Sequence, residues 1–264
     1  MSSSGNKTAK EKFFRFGIAA KGLVYSLIGG LTLTSAWNLT QEATGQKQVI
    51  EFLQEQPFGN VLLVLIALGL FAYCAWRLYT SFTGDNDGKK EIAESIGHVC
   101  SGLFYGALAV FSLSLIFTEG GGSNGSAKTY AETVMQNPGG RIAIGILGAI
   151  FIGVGMYQFL KGWQEKYLDA LPSGAQDSMS NYGMYKTLGK VGYIARSVVY
   201  WVIAWFLLNA ALSSDAQKVK GMEGVFEFIK ELSLGGVLVL LLALGLLAHG
   251  LFMFVKAKYG EVEG

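Results

Sequence analysis

Lys21, His98, Arg196 and His249 stand inside long apolar runs of this sequence, and they set the chemistry it could do. A charge held in hydrocarbon is costly, so ionisable residues in such runs are functional candidates by default. Lys21 and Arg196 lie four residues after Gly17 and Gly192, and Ser101 holds the same place after Gly97. Brought together, the three would form a basic ring able to hold an anionic headgroup or a small anion. The simpler alternative is snorkelling, in which both long side chains reach for a nearby polar interface. The two histidines could titrate near neutral pH and support a proton-linked step. Against that, none of the apolar runs contains Asp or Glu. A metal site would need ligands beyond two histidines, and no motif offers them. Hydrogen bonds to neighbouring helices are therefore the expected use of His98 and His249. Tyr25, Tyr105 and Tyr200 follow the same three glycines by eight residues, and each buried phenol requires a partner for its hydroxyl.

Enzyme signatures are missing: there is no G-x-S-x-G elbow, phosphate-binding glycine loop, H-E-x-x-H or pair of carboxylates within a run. The cluster GGGSNGS at Gly120–Ser126 lacks a following lysine motif and reads as a flexible loop. No enzymatic activity and no cofactor are expected. Of the 264 residues, 51% are hydrophobic and only 15% charged, against about 25% charged in a soluble domain. Such a surface cannot face water on all sides. The 36 glycines beside three prolines suit close packing of membrane helices. A net charge of +2 gives no reason to expect nucleic acid as a partner. Cys74 and Cys100 both lie in apolar runs and read as small buried hydrophobes.

A helix crossing a bilayer core of about 30 Å needs about 20 apolar residues. Six segments qualify: 16–37, 58–80, 97–117, 141–162, 189–212 and 235–256. The first follows a polar stretch too long for a signal peptide, with no small-x-small cleavage site after Trp37, and is expected to be retained. The fold expected is all-α: a polytopic membrane protein of six transmembrane helices.

The segments repeat in pairs. GIAAKGLVY (Gly17–Tyr25), GHVCSGLFY (Gly97–Tyr105) and GYIARSVVY (Gly192–Tyr200) open the odd members, each with glycine and tyrosine eight apart. The even members open at Gly59, Gly139 and Gly235, which places Tyr73, Gly153 and His249 at one shared position. Three tandem two-helix repeats follow, at 13–84, 91–163 and 185–259, after an N-terminal arm at 1–12, and a pseudo-three-fold arrangement would bring equivalent residues together. Small residues at four-residue spacing mark helix-packing seams: Gly22, Ser26 and Gly30; Gly102 and Gly106; and Gly145, Ala149 and Gly153. The fifth segment carries Ser197, Trp201 and Trp205 where the first has small residues, so the third repeat is expected to pack differently there. The connectors hold amphipathic pieces (Val49–Gln56, Tyr130–Gln136, Gly224–Leu232) expected at the bilayer surface.

Orientation follows from the basic residues. Fifteen of the 21 Lys and Arg fall on the side holding both termini, among them Lys7, Lys10, Lys12, Arg15, Lys89, Lys90, Lys166, Lys186 and Lys258. Lys47, Lys128, Arg141, Lys218, Lys220 and Lys230 fall on the other. The positive-inside rule then puts both termini in the cytoplasm.

GIAAKGLVY, QPFGNVLLVLIALGLFAYCAWRLY and the triplicated two-helix layout resemble the bacterial membrane proteins of domain-of-unknown-function family 1206, over about Phe13–Tyr259. The even segments of that family end in a G-x-x-x-Y-x-x-W-R-like pattern, here Gly69, Tyr73, Trp76 and Arg77; the sixth segment departs with Gly245, His249 and Phe252, and the fourth with Ala149, Gly153 and Met156. The resemblance implies the six-helix fold and a bacterial plasma membrane, the inner membrane where there are two. It brings no activity. The expected role is a non-enzymatic scaffold or accessory protein contacting membrane lipids or another membrane protein. The alternative is a small channel or transporter for an anion or small solute along the repeat axis.

Overall fold

The computed structural model describes residues 3–37, 52–53, 59–83, 131–132, 134–172 and 180–260, with positions 99, 102, 105, 106, 109 and 110 of the third apolar segment. His98, Cys100, Ser101 and the loop at 120–126 lie outside the described residues. The described residues form α1 (Ser3–Trp37), α2 (Gly59–Thr83), α3 (Pro138–Trp163), α4 (Tyr182–Ser213), α5 (Met222–Lys230) and α6 (Gly235–Tyr259), with 3-10 turns at Lys166–Ala170 and Ala216–Lys218 and no strand. Four stretches are long and apolar enough to cross a membrane: Phe14–Thr34 and the whole of α3, α4 and α6. α2 holds a shorter apolar stretch, Leu63–Tyr79. The six described positions of the third segment are helical.

Local chemistry sets the starts of the even helices. α3 opens on Pro138, whose missing N–H falls where a helix has no use for one. The Val134 carbonyl occupies the space over Gly140, as the Lys230 carbonyl does over Gly235, and a Cβ at either would collide with it. Gly140 is thus the counterpart of Gly235. The sequence assignment of Gly139, which faces open space, is one residue early. The shared position in the second repeat passes accordingly from Gly153 to Val154. α5 realises the third amphipathic connector, but its apolar face turns inward: Met222, Val225, Phe226 and Ile229 are buried in the main core with Leu53.

The helices pack antiparallel. α1 lies against α2 and α6, α4 against α3 and α6. One seam recurs three times. Gly22 of α1 lies over the Gly250 carbonyl and the Met253 Cβ of α6. Gly102 lies over the Cys74 carbonyl and the Arg77 Cβ of α2. On α4, Ser197 and Trp201 meet Gly155 of α3. Counted from the opening glycines of their repeats, these are the same positions. The odd helix of each repeat therefore rests on an even helix of another repeat: first on third, second on first, third on second.

The seams of α3, α1 and α4 differ from the sequence expectation. In α3 the approach is made by Gly148, Gly155 and Gly162, all buried, at seven-residue spacing. Ala149 and Gly153 face outward, and a Cβ on Gly145 would only touch the Ala211 Cβ at 3.5 Å. In α1, Gly22 and Ser26 hold their places, but Gly29 and not Gly30 meets α6. Trp201 does not abolish the third seam, because the small residue has moved to its partner as Gly155. Gly106 meets the sulfur of Cys74, a free thiol.

Candidate functional site

The intra-repeat contacts of the first and third repeats coincide. Gly17 leaves room for the backbone of Tyr73, and Gly192 for that of His249. Gly69 accepts the methyl of Ala20, and Gly245 that of Ala195. With helices this close, the side chain one turn beyond the first glycine reaches the facing helix. Lys21 Nζ donates to Tyr73 Oη at 3.2 Å. Arg196 Nη1 donates to His249 Nε2 at 3.1 Å. Arginine has no lone pair to offer, so His249 accepts at Nε2 and carries its proton on Nδ1, which has no partner. The Arg196 Nε is also buried without one.

Aromatic rings join the two cations. Lys21 Nζ lies 4.9 Å from the Tyr73 ring centre and 5.1 Å from that of Tyr105. Tyr105 Oη donates to Tyr25 Oη at 3.2 Å. The Arg196 guanidinium lies 5.0 Å from the Tyr25 ring, and its Nη2 bonds the Tyr200 hydroxyl. The three equivalent tyrosines thus converge, one from each repeat, between Lys21 and Arg196. Lys21 and Arg196 are each 5% exposed and His249 is fully buried. Cation–π contacts are strong only when desolvated, about 2 kcal/mol each, which softens but does not cancel the cost of a buried charge.

Beside Lys21 lies a cavity of about 30 Å³. Its wall holds three cations, Lys21, Arg77 and Lys256, with the hydroxyl-bearing Tyr73 and the rings of Phe14 and Trp76. Among the described residues no carboxylate lines it. Arg77 Nε donates to Tyr73 Oη at 2.9 Å, so that one hydroxyl serves two cations. Among the described residues no group of His, Cys, Asp and Glu is placed to hold a metal ion.

The family model for a domain of unknown function, DUF1206, matches the chain three times, over residues 16–84, 96–165 and 191–260. The chain belongs to this family. It is also 27% identical over 252 residues to the uncharacterized protein YxxB of Bacillus subtilis (strain 168), covering 94% of this chain and 90% of that protein. No solved structure matches it.

The three DUF1206 repeats are unequal at the site. The first places a lysine against a tyrosine and the third an arginine against a histidine. The second has Ser101 and Val154 at those positions, so no cation is available there. Of the residues singled out in the sequence, Lys21, Arg196, His249, Tyr25, Tyr105 and Tyr200 come together; Ser101 and His98 lie outside the described residues. Tyr73, Arg77 and Lys256 were not among the candidates. Tyr73 carried a signal, since it shares its repeat position with His249; Lys256 carried none beyond its basic charge at a helix end.

Proposed function

We propose that this DUF1206 protein is a non-enzymatic, six-span protein of the bacterial plasma membrane, both termini cytoplasmic, that retains an anionic lipid headgroup through its buried cations. It would act as a scaffold or accessory protein among membrane lipids, with a second membrane protein as a further partner. One observation carries the reading: Lys21 and Arg196 are buried within apolar helices, and their hydrogen-bond acceptors are two tyrosine hydroxyls and a histidine nitrogen. Neutral acceptors leave both charges uncompensated, a cost of several kcal/mol per ion that an anion would offset. The recurrence of one inter-repeat seam three times supports a pseudo-three-fold packing of three tandem pairs. A channel along that axis is less well supported, since Tyr25, Tyr105, Tyr200 and Arg196 fill the centre. With no acidic residue in any apolar segment, cation passage is the least favoured transport.

Purified protein is expected to carry anionic phospholipid and to give no potassium or sodium conductance in liposomes. Each basic residue contributes about 1 kcal/mol to such binding, so Lys21→Gln with Arg196→Gln should weaken it by about 2 kcal/mol, roughly 30-fold. Lipid carry-over measured by mass spectrometry and unchanged in the double variant would reject the reading. For topology, reporter fusions after Lys89 and Lys186 should report the cytoplasm, and those near Asn124 and Lys218 the outside. A single well-expressed fusion on the wrong side would overturn the six-span arrangement.

A further inference from the structure

The outward face of α3 departs from the faces of α2 and α6, its equivalents in the other repeats. With Gly140 aligned on Gly59 and Gly235, Ala149 corresponds to Leu68 and Leu244, Gly153 to Ala72 and Ala248, and Tyr157 to Trp76 and Phe252. Leu68 and Leu244 point outward, about half exposed, and α3 has only a methyl group at that place. Ala72, Ala248, Trp76 and Phe252 are all buried. Gly153 is instead exposed, with nothing within 4 Å of a Cβ built on it, and Tyr157 is 48% exposed. Ala149, Gly153 and Tyr157 stand four residues apart and so share one face. α3 is also the least buried of the four membrane-length stretches.

What covers the aromatic position in the other two repeats is an aromatic ring. Phe14 meets Trp76 edge to face at 5.4 Å, and Tyr167 meets Phe252 edge-on at 5.2 Å. Each comes from the stretch that leads into the odd helix of the same repeat. The matching stretch of the second repeat, GDNDGKKEIAESI at 84–96, holds no Phe, Tyr or Trp. A ring supplied by another chain would fit over Tyr157, and a helix could approach closely beside it, over Ala149 and Gly153.

We propose that this face of α3 is where a second copy of the chain docks, α3 against α3 about a two-fold axis along the membrane normal. The proposal rests on the preceding reading of a scaffold with a fixed insertion, and it names that scaffold's partner. Two copies inserted in one direction set their α3 helices parallel, so that equal depths meet. Each Tyr157 ring then lies beside the other, as Phe14 and Tyr167 lie beside their partners within the chain. The hollow and the ring that borders it belong to one face, which is the self-complementarity a two-fold contact demands.

The test uses full-length protein carrying Cys74→Ala and Cys100→Ala, reconstituted into phosphatidylcholine–phosphatidylglycerol vesicles at falling protein-to-lipid ratio. Ala149→Cys is expected to form a disulfide-linked dimer on oxidation, and Leu244→Cys, at the equivalent place on α6, is not. Adding Gly153→Leu to the Ala149→Cys protein should weaken association about tenfold or more by overfilling the hollow. Tyr157→Ala should weaken it about tenfold through the lost ring pair, while the Tm of the monomer in detergent stays that of the wild type. Should Gly153→Leu not fold, Tyr157→Ala decides. Ala149→Cys linking no more than Leu244→Cys at every ratio, or undiminished by Tyr157→Ala, would overturn the docking. Lipid content is measured on the same preparations before reconstitution. Dimers from protein without anionic lipid would reject the headgroup reading alone; monomers from protein that retains it would reject the docking alone.

Discussion

Gly192→Ala is expected to lower the stability of the protein by about 1–3 kcal/mol or more, the range for overpacking a closed seam. The added Cβ would stand 2.5 Å from the His249 Cα and 2.7 Å from its nitrogen. Both are backbone atoms, so no rotamer can relieve the clash and α4 must part from α6. Parting them also breaks the Arg196–His249 bond, so lipid retention should fall with Tm. Gly17→Ala meets Tyr73 backbone at 2.8 Å and should behave likewise. Gly30→Ala and Gly153→Ala serve as controls: neither Cβ would have a neighbour within 4 Å, and alanine is a better helix former than glycine by about 1 kcal/mol. Those two should melt at or above the wild-type temperature in detergent. A Gly192→Ala protein with wild-type Tm would show that α4 and α6 do not pack as described.

Tyr167→Ala should cost about 3–5 kcal/mol, as for other fully buried aromatic side chains. Tyr167 sits on the short 3-10 turn that follows α3, outside the apolar segments, yet has no exposed surface. Its ring stacks on Tyr193 at 5.4 Å and meets Phe252 edge-on at 5.2 Å, over the space left by Gly189. It therefore pins the second repeat to both helices of the third. Burial, then the Glu165 charge, push its phenol up to about 12, so it stays a donor and holds the Lys186 carbonyl at 2.6 Å through the neutral range. Tyr167→Phe removes only that bond and should cost about 1 kcal/mol. If both variants melt like wild type, the linker turn is not part of the core.

The glycine-to-tyrosine spacing was readable because it comes from contact: Gly17 and Gly192 are where helices nearly touch, and the cation one turn on inherits its partner from that approach. The shared position of Tyr73 and His249 was readable for the same reason. The seam of α3 was not. In water a helix shows its core face by hydropathy, but lipid is as apolar as a protein interior, so that contrast vanishes. α3 turns Ile142, Ile146, Ile152 and Met156 outward, and these look no different in sequence from core residues. Glycine occurs on both faces of the helix, at 153 and at 155, and only packing tells them apart. Lys256 was hidden by a related ambiguity. A lysine near the end of an apolar helix is expected at the interface, and only the fold turns it inward onto the Phe14 ring at 5.7 Å.

The antiparallel contact of α1 with α6 also bears on biosynthesis. Roughly 200 residues separate the end of α1 from the start of α6. At about 5–20 residues per second, α1 would wait about 10–40 s in the bilayer before the helix that covers Gly22 and Gly29 is made. Through that interval Lys21 has α2 and then the Tyr105 ring beside it, while the face of α1 that packs on α6 stays uncovered until α6 is translated.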